Sequence, residues 1–509
     1  MIRLGRDLRG EIVERADAVV VGTGAGGAMA LRELARAGLK VIALEEGGYY
    51  QPTDFNQREE QMLDLLLQER GGLSTDDRAI RVLMGRGVGG STLHNMCLCK
   101  RAPGEILDLW ERRHAVSGCS ERELLPVFAE VEKELSVSEI PERDRNGNNR
   151  ALARGIKALG FSGGALRHNR VGCYGSGFCE LGCSYDAKQN VPKVLLPQAL
   201  AGPGEAVVMS DVRITHVEHA AGAVRGVRGL ATDPLGRTIA NVQIGANVVV
   251  LAAGAVGSAA IGHRSALPDP HAQLGRGLRL HPGAAIVGFF DDRIDGFRGI
   301  PQSYECTEYL DFRAGSDRKA WITTAFAHPI GAAVSVPGFG RSHMSLMRRY
   351  AHMAALTAMV HDETEGRVTL EDDGSPSLWY RMSARDRAQL ALGLRGAARI
   401  LLAAGAREVM LPSVPPVRLT RPIDVDAICA DVVGPHKLPI LSVHPMGTMR
   451  LGDDPQTSTV RSTGEHHQVR GLFVLDGSLF PTSIGVPPQV SIYAFARHLS
   501  KHVLARAKG

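Results

Sequence analysis

The chain has 509 residues, too many for one ordinary core, and at roughly 150 residues per domain the length predicts two or three units. Hydrophobic residues make up 44%, charged residues 22%, and there are 59 glycines, a composition that excludes disordered and fibrous classes. A formal net charge of +5, from 59 basic against 54 acidic residues, comes with no concentrated Lys/Arg block, which argues against a nucleic-acid partner.

The N-terminus begins Met1-Ile2-Arg3-Leu4-Gly5-Arg6 and lacks the apolar core of a signal peptide; no run of about 18 apolar residues offers a membrane span. The expected compartment is the cytoplasm. The apolar run from Ala16 to Gly22, the helical spacing of Met29, Leu31, Leu34 and Leu39 within Ala28 to Lys40, and the run Val41 to Leu44 predict a βαβ start. Its first junction reads Gly22-Thr23-Gly24-Ala25-Gly26-Gly27, which satisfies G-x-G-x-x-G. Gly22 permits the tight turn, Gly24 admits a pyrophosphate to the backbone, and Gly27 lets helix and strand pack closely. Thr23 and Gly26 complete the expected dinucleotide loop. Glu45 closes the next strand, where a carboxylate accepts bonds from ribose hydroxyls, and Glu46 is its rival.

Cys173, Cys179 and Cys183 form C-x5-C-x3-C among glycines, close enough in sequence to surround a metal centre. Reduced thiols, one disulfide with a spare cysteine, and zinc are open alternatives. Cys97 and Cys99 read as small buried residues. Further on, a buried strand is predicted at Val248 to Ala252 and a helix from Ala255. A middle stretch over 281–438 contains an amphipathic helix near Ala384 to Ala404. Two segments in that stretch, Phe326-Ala327-His328-Pro329 and Met344 to Met353, either line a pocket or form core. A strand at Leu472 to Leu475 and a last helix from Pro487-Pro488 to about Ala507 complete the chain.

Four segments resemble, in order, motifs of the glucose-methanol-choline (GMC) oxidoreductases. They are Gly85 to Asn95, Val248 to Ala255, Ser442 to Gly452, and Gly471 to Pro481. The resemblance implies an α/β fold: a Rossmann-like FAD-binding domain, from 1–280 and 439–509, with an α+β substrate-binding domain at 281–438 and a cysteine-loop insertion near 165–195. It implies FAD contacts from Gly85, Gly89, Gly90, Ser91, His94 and Asn95, and from Val212, Ala253, Gly254, Asp476, Gly477 and Pro488. It also implies that His444 is the base that removes an alcohol's hydroxyl proton while hydride passes to the flavin. The positive end of the last helix would steady negative charge on the reduced flavin.

One departure from the family pattern is Pro487, which stands where relatives place a second His or Asn. His444 then works alone, or Gln489 substitutes, or the chemistry has drifted. His94 either attaches FAD covalently, as a histidine does in some relatives, or packs against it. The cysteine spacing resembles that of GMC dehydrogenases holding a [3Fe-4S] cluster, and more loosely the cysteine loop of long-chain alcohol oxidases. The leading expectation is oxidation of a small-molecule alcohol, hydrophobic or ring-bearing, with oxygen or an electron-carrier protein as acceptor. A lyase-like use of the scaffold and a redox-transfer component are the alternatives.

Overall fold

The computed structural model describes residues 1–313, 315–325 and 327–509. Its organising element is a six-stranded parallel sheet in the order Ile2–Leu4, Ala206–Ser210, Val41–Leu44, Ala18–Val21, Val248–Leu251, Leu472–Val474. The four strands from Val41–Leu44 to Leu472–Val474 are buried at every position. That explains their unbroken apolar runs, because a parallel sheet is covered on both faces and its strands need not alternate.

Helix α1, Ala25–Arg36, follows the first of these strands in sequence, and α2, Gly254–Arg264, follows Val248–Leu251. The last helix, which we number α6 (Gln489–Lys508), packs along α1. The carboxyl ends of the four strands lead directly to Gly22, Glu45, Ala252 and Leu475. Residues far apart in sequence therefore converge on one edge of the sheet, the edge at which open α/β sheets bind ligands.

Sequence periodicity placed these elements within a few residues. The first helix starts at Ala25 rather than Ala28, because Gly26 and Gly27 are helical residues held there by packing. A Cβ on Gly26 would stand 1.7 Å from the Leu475 carbonyl oxygen, so glycine alone lets the helix reach the neighbouring strand. The last helix begins at Gln489, with Pro488 as its N-cap rather than inside its first turn.

A second sheet of nine strands is built on the path Val417–Leu419, Glu408–Leu411, Gly283–Phe289, Met353–Val360, Ala320–Thr324, Tyr304–Cys306, Gly163–Ala165. Ile440–Ser442 pairs with Gly283–Phe289 and with Ile80–Val82. This sheet thus takes strands from all three segments of the expected domain division. Between them in sequence lie the short helices α3, Pro329–Ser335, and α4, Gly340–Met347, and the long α5, Ala384–Ala403, which packs on this sheet. Among the described residues no helix is long and apolar enough to cross a membrane.

Gly26→Ala is expected to destabilise the protein by about 3 kcal/mol, the upper range for overpacking against rigid backbone. Urea unfolding of the purified variant checks this, and an unchanged midpoint would contradict the packing argument.

Candidate active site

A cavity of about 650 Å³ begins at the carboxyl edge of the parallel sheet and runs to the nine-stranded sheet. From the first glycine loop and the following strand end, Gly22, Thr23, Gly24, Gly26, Glu45 and Glu46 line it. So do Gly85, Gly90, Ser91, His94 and Asn95 of the second loop. Val212, Ala253, Gly254, Asp476, Gly477, Pro488, Gln489 and His444 complete the expected set on its walls. Gly27 and Gly89 stand behind the lining. A Cβ on Gly27 would fall 2.0 Å from the Gly22 carbonyl oxygen, and the Gly89 N–H donates to Thr23 Oγ1 at 3.2 Å.

Two buried carboxylates organise this end. Glu45 Oε2 accepts from the Thr23 N–H at 3.0 Å and the Thr23 hydroxyl at 2.8 Å, while Oε1 accepts from the N–H groups of Gly47 at 3.1 Å and Gly87 at 3.2 Å. Burial, followed by the nearby Glu46 charge, pushes Glu45 up to about 7 despite these donors. Asp476 Oδ2 accepts from the Gly254 N–H at 2.9 Å and the Ser258 hydroxyl at 2.6 Å, and Oδ1 accepts from the Ser478 N–H at 2.8 Å. It joins the start of α2 to the end of the last strand.

The walls fit a dinucleotide. No atom lies within 4 Å of where a Gly24 Cβ would stand, so the loop backbone opens to the cavity. His94 Nε2 is buried with no hydrogen-bond partner, an arrangement that calls for a bound group. Burial, then the Lys188 charge, lowers His94 to about 3, leaving a neutral ring.

His444 stands on the cavity wall, and its Nδ1 is 3.0 Å from His281 Nδ1, with ring centroids 5.0 Å apart. A second polar side chain, from neither Pro487 nor Gln489, therefore stands against His444. Strand pairing brings it: Gly283 faces Leu441 and Arg279 faces Met446, both antiparallel, which sets His281 opposite His444. Asp362 fixes the His281 segment by accepting from the Leu280 and His281 N–H groups at 2.9 and 3.1 Å. The only local sign in sequence is that both histidines precede a proline, His281-Pro282 and His444-Pro445.

Burial lowers His444 to about 3 and holds His281 well below the ordinary imidazole range, with His444 next in effect. Both rings are neutral at physiological pH, so one Nδ1 donates and the other accepts. Pro487 and Gln489 line the same cavity. The Gln489 amide is engaged at both ends: its Oε1 accepts from Asn95 Nδ2 at 2.6 Å, and its Nε2 donates to the Leu98 carbonyl at 3.2 Å and to Asn169 Oδ1 at 3.3 Å. It anchors the start of α6 to the second glycine loop.

Cys173, Cys179 and Cys183 are free thiols around a small separate pocket that Cys97 also lines. Among the described residues no group of three or more His, Cys, Asp or Glu side chains could hold a metal ion, so sequence spacing did not translate into a ligand cage. Toward the nine-stranded sheet the cavity is walled by Val287, Val336, Met353 and Met410, with Phe297 and Tyr350 stacked 5.2 Å apart. Ala327 and Met353, from the two segments singled out in sequence, line it; Phe326 lies outside the described residues.

Residues 17–283 and 362–496 match two family models, both described as GMC oxidoreductase. The chain belongs to the GMC oxidoreductase family. It is 33% identical, over 98% of its length and 77% of the relative's, to an uncharacterized GMC-type oxidoreductase of Mycobacterium tuberculosis (strain ATCC 25618 / H37Rv). It is 29% identical to the long-chain-alcohol oxidase FAO4B of Arabidopsis thaliana, over 96% of this chain and 67% of that protein. A crystal structure of pyridoxine 4-oxidase from Mesorbium loti superposes with a TM-score of 0.72 at 18% identity, covering 96% of this chain and 98% of that one. Formate oxidase superposes with a TM-score of 0.70 at 15% identity, covering 98% and 99%. This GMC oxidoreductase is accordingly an FAD-dependent oxidoreductase with the α/β fold of the family.

The depressed histidines have a consequence for stability. As pH falls below the ordinary value of 6.5, unfolded His444 takes a proton that the folded ring refuses down to about 3. Stability is therefore lost as pH falls, by about 1.4 kcal/mol per pH unit for each such histidine. Between pH 7 and pH 5 the cofactor-free wild type is expected to lose about 2 kcal/mol more than His444→Asn. Urea unfolding at both pH values checks this, and equal losses in the two proteins would contradict it.

Proposed function

We propose that this GMC oxidoreductase oxidises a long, apolar alcohol to its carbonyl, with His444 as the base and His281 as its positioning residue. The observation that carries the proposal is the Nδ1 to Nδ1 contact of 3.0 Å between two neutral histidines, one of them on the cavity wall. If His444 donates its Nδ1–H to His281, its Nε2 keeps a free lone pair. That lone pair takes the hydroxyl proton. A neutral imidazole is the form that can accept a proton.

FAD, when bound, supplies the acceptor for the hydride that leaves the carbinol carbon. The chain would hold it through the loops Gly22 to Gly27 and Gly85 to Asn95. Glu45 and Glu46 would offer acceptors to the ribose and Val212 would meet the adenine, with Ala253, Gly254, Asp476, Gly477 and Pro488 on the remaining walls. The N-terminal end of α6 reaches the same cavity through Pro488 and Gln489 and would favour negative charge there. The apolar wall of Val287, Val336, Met353 and Met410 supports an aliphatic substrate, as does the similarity to a relative named a long-chain-alcohol oxidase. Oxygen is the acceptor we assign, on the similarity to relatives named oxidases.

Anaerobic mixing with decan-1-ol tests the roles. His444→Asn is expected to keep its yellow colour and lose about 100-fold or more in the rate of flavin bleaching. His281→Ala is expected to slow bleaching and alter its pH profile, and His281→Asn to restore part of the rate by offering an acceptor to His444. Wild-type rates in His444→Asn would overturn the assignment.

A covalent link from His94 to the flavin is a second reading, favoured by the unpartnered Nε2. Acid precipitation is then expected to leave the yellow colour with the protein, whereas its complete release into solution would remove this reading.

A further inference from the structure

Helices α3 and α4 form an excursion whose apolar residues face both ways. On α3 and just beyond it, Ala332 and Val336 are buried and line the cavity. Ile330 and Val334, displaced by two positions, stand 48% and 74% exposed. Phe339, between the two helices, is 90% exposed, and Met344 of α4 is 53% exposed. A helix that is apolar on two faces is stable in place when both faces meet an apolar phase. One face meets the cavity, and the other meets solvent.

The segment itself carries charge of one sign. From 318 to 361 the chain contains no Asp or Glu. Arg341 and Arg348 are exposed beside the apolar side chains. Arg349 is held by Glu408 at 3.0 Å, and Glu59 accepts the Ile330 and Gly331 N–H groups at 2.8 and 2.6 Å, so these two nearby carboxylates are already engaged. Large exposed apolar side chains with arginines at their edge are the composition that settles in the headgroup region of an anionic bilayer.

We propose that the α3–α4 excursion docks on an anionic lipid bilayer, with Ile330, Val334, Phe339 and Met344 entering the headgroup boundary and Arg341 and Arg348 meeting lipid phosphates. Because Ala332, Ser335 and Val336 line the cavity from the same segment, docking brings the substrate chamber against the membrane. An alcohol dissolved in lipid then enters without crossing water. Entry of the alcohol rests on the function proposed above; docking does not.

The test reads binding apart from activity. The FAD-loaded full chain is sedimented with vesicles of phosphatidylcholine alone or with about one-third phosphatidylglycerol. Wild type is expected in the pellet with the anionic vesicles. Val334→Asp combined with Phe339→Asp, and separately Arg341→Glu combined with Arg348→Glu, are expected to lower the bound fraction about tenfold. Circular dichroism and flavin bleaching by water-soluble hexan-1-ol should be unchanged in both. Wild type remaining in the supernatant with both vesicles, or variants that pellet like wild type, would overturn the proposal. So would a wild-type dimer that Phe339→Asp converts to monomer, which would assign this face to a second copy of the chain. If vesicles bind and no alcohol bleaches the flavin, docking stands and the alcohol reading falls.

Discussion

The site depends on the buried Asp476 carboxylate. It accepts from the backbone and side chain at the start of α2, 222 and 218 residues away, and from the turn that follows it. That turn in turn orders the histidine segment: the Gly447 N–H donates to the Gly477 carbonyl and the Met449 N–H to the Ser478 carbonyl, both at 3.1 Å. Thr448 adds a bond from its hydroxyl to the Ala255 carbonyl at 2.7 Å. One desolvated acceptor with all its donors in place thus sets the cofactor wall and His444 together. Glu45 does the same for the first and second glycine loops. Losing either carboxylate leaves several buried N–H groups without partners, which costs more than the bonds themselves contribute.

The second constraint is the antiparallel pairing of the segments around Gly283 and Leu441. It places His281, fully buried, against His444 on the cavity wall, and the lost hydration keeps both rings neutral. The same sheet supplies Val287 and Met353 to the cavity wall. The residues that would take a proton and part of the wall that would hold an aliphatic chain therefore lie on or beside one sheet. This suits a reaction in which a hydroxyl must arrive at a fixed imidazole while the remainder of the molecule offers few hydrogen bonds.

Much of the cofactor half was legible in sequence because its rules are local. A glycine that must approach another backbone, as Gly26 does Leu475, admits no other residue, and an unbroken valine run such as Val248 to Leu251 needs burial on both faces. His281 was not legible, since its meeting with His444 is created by a strand pairing between residues 158 positions apart (Gly283 and Leu441). Pro487 and Gln489 share the cavity with His444, but a polar neighbour that arrives from another strand leaves no mark near them in the chain. The cysteine trio was legible in part: its three thiols do gather around one small pocket, but among the described residues no group of three or more His, Cys, Asp or Glu side chains is placed to hold a metal ion. The exposed face of α3 and α4 carried no periodic signal, because apolar residues on two sides of a short helix look like ordinary core.

In the reaction proposed for this cavity an alcohol's carbinol carbon is oxidised at the expense of bound flavin. Anaerobic stopped-flow mixing with dodecan-1-ol and with its 1,1-dideuterated form tests it most directly, with aldehyde measured in the same sample. The yellow absorbance is expected to bleach as one aldehyde forms per flavin, and to bleach more slowly with the deuterated alcohol. Aldehyde formed without bleaching, or bleaching indifferent to deuterium and unaccompanied by aldehyde, would contradict it.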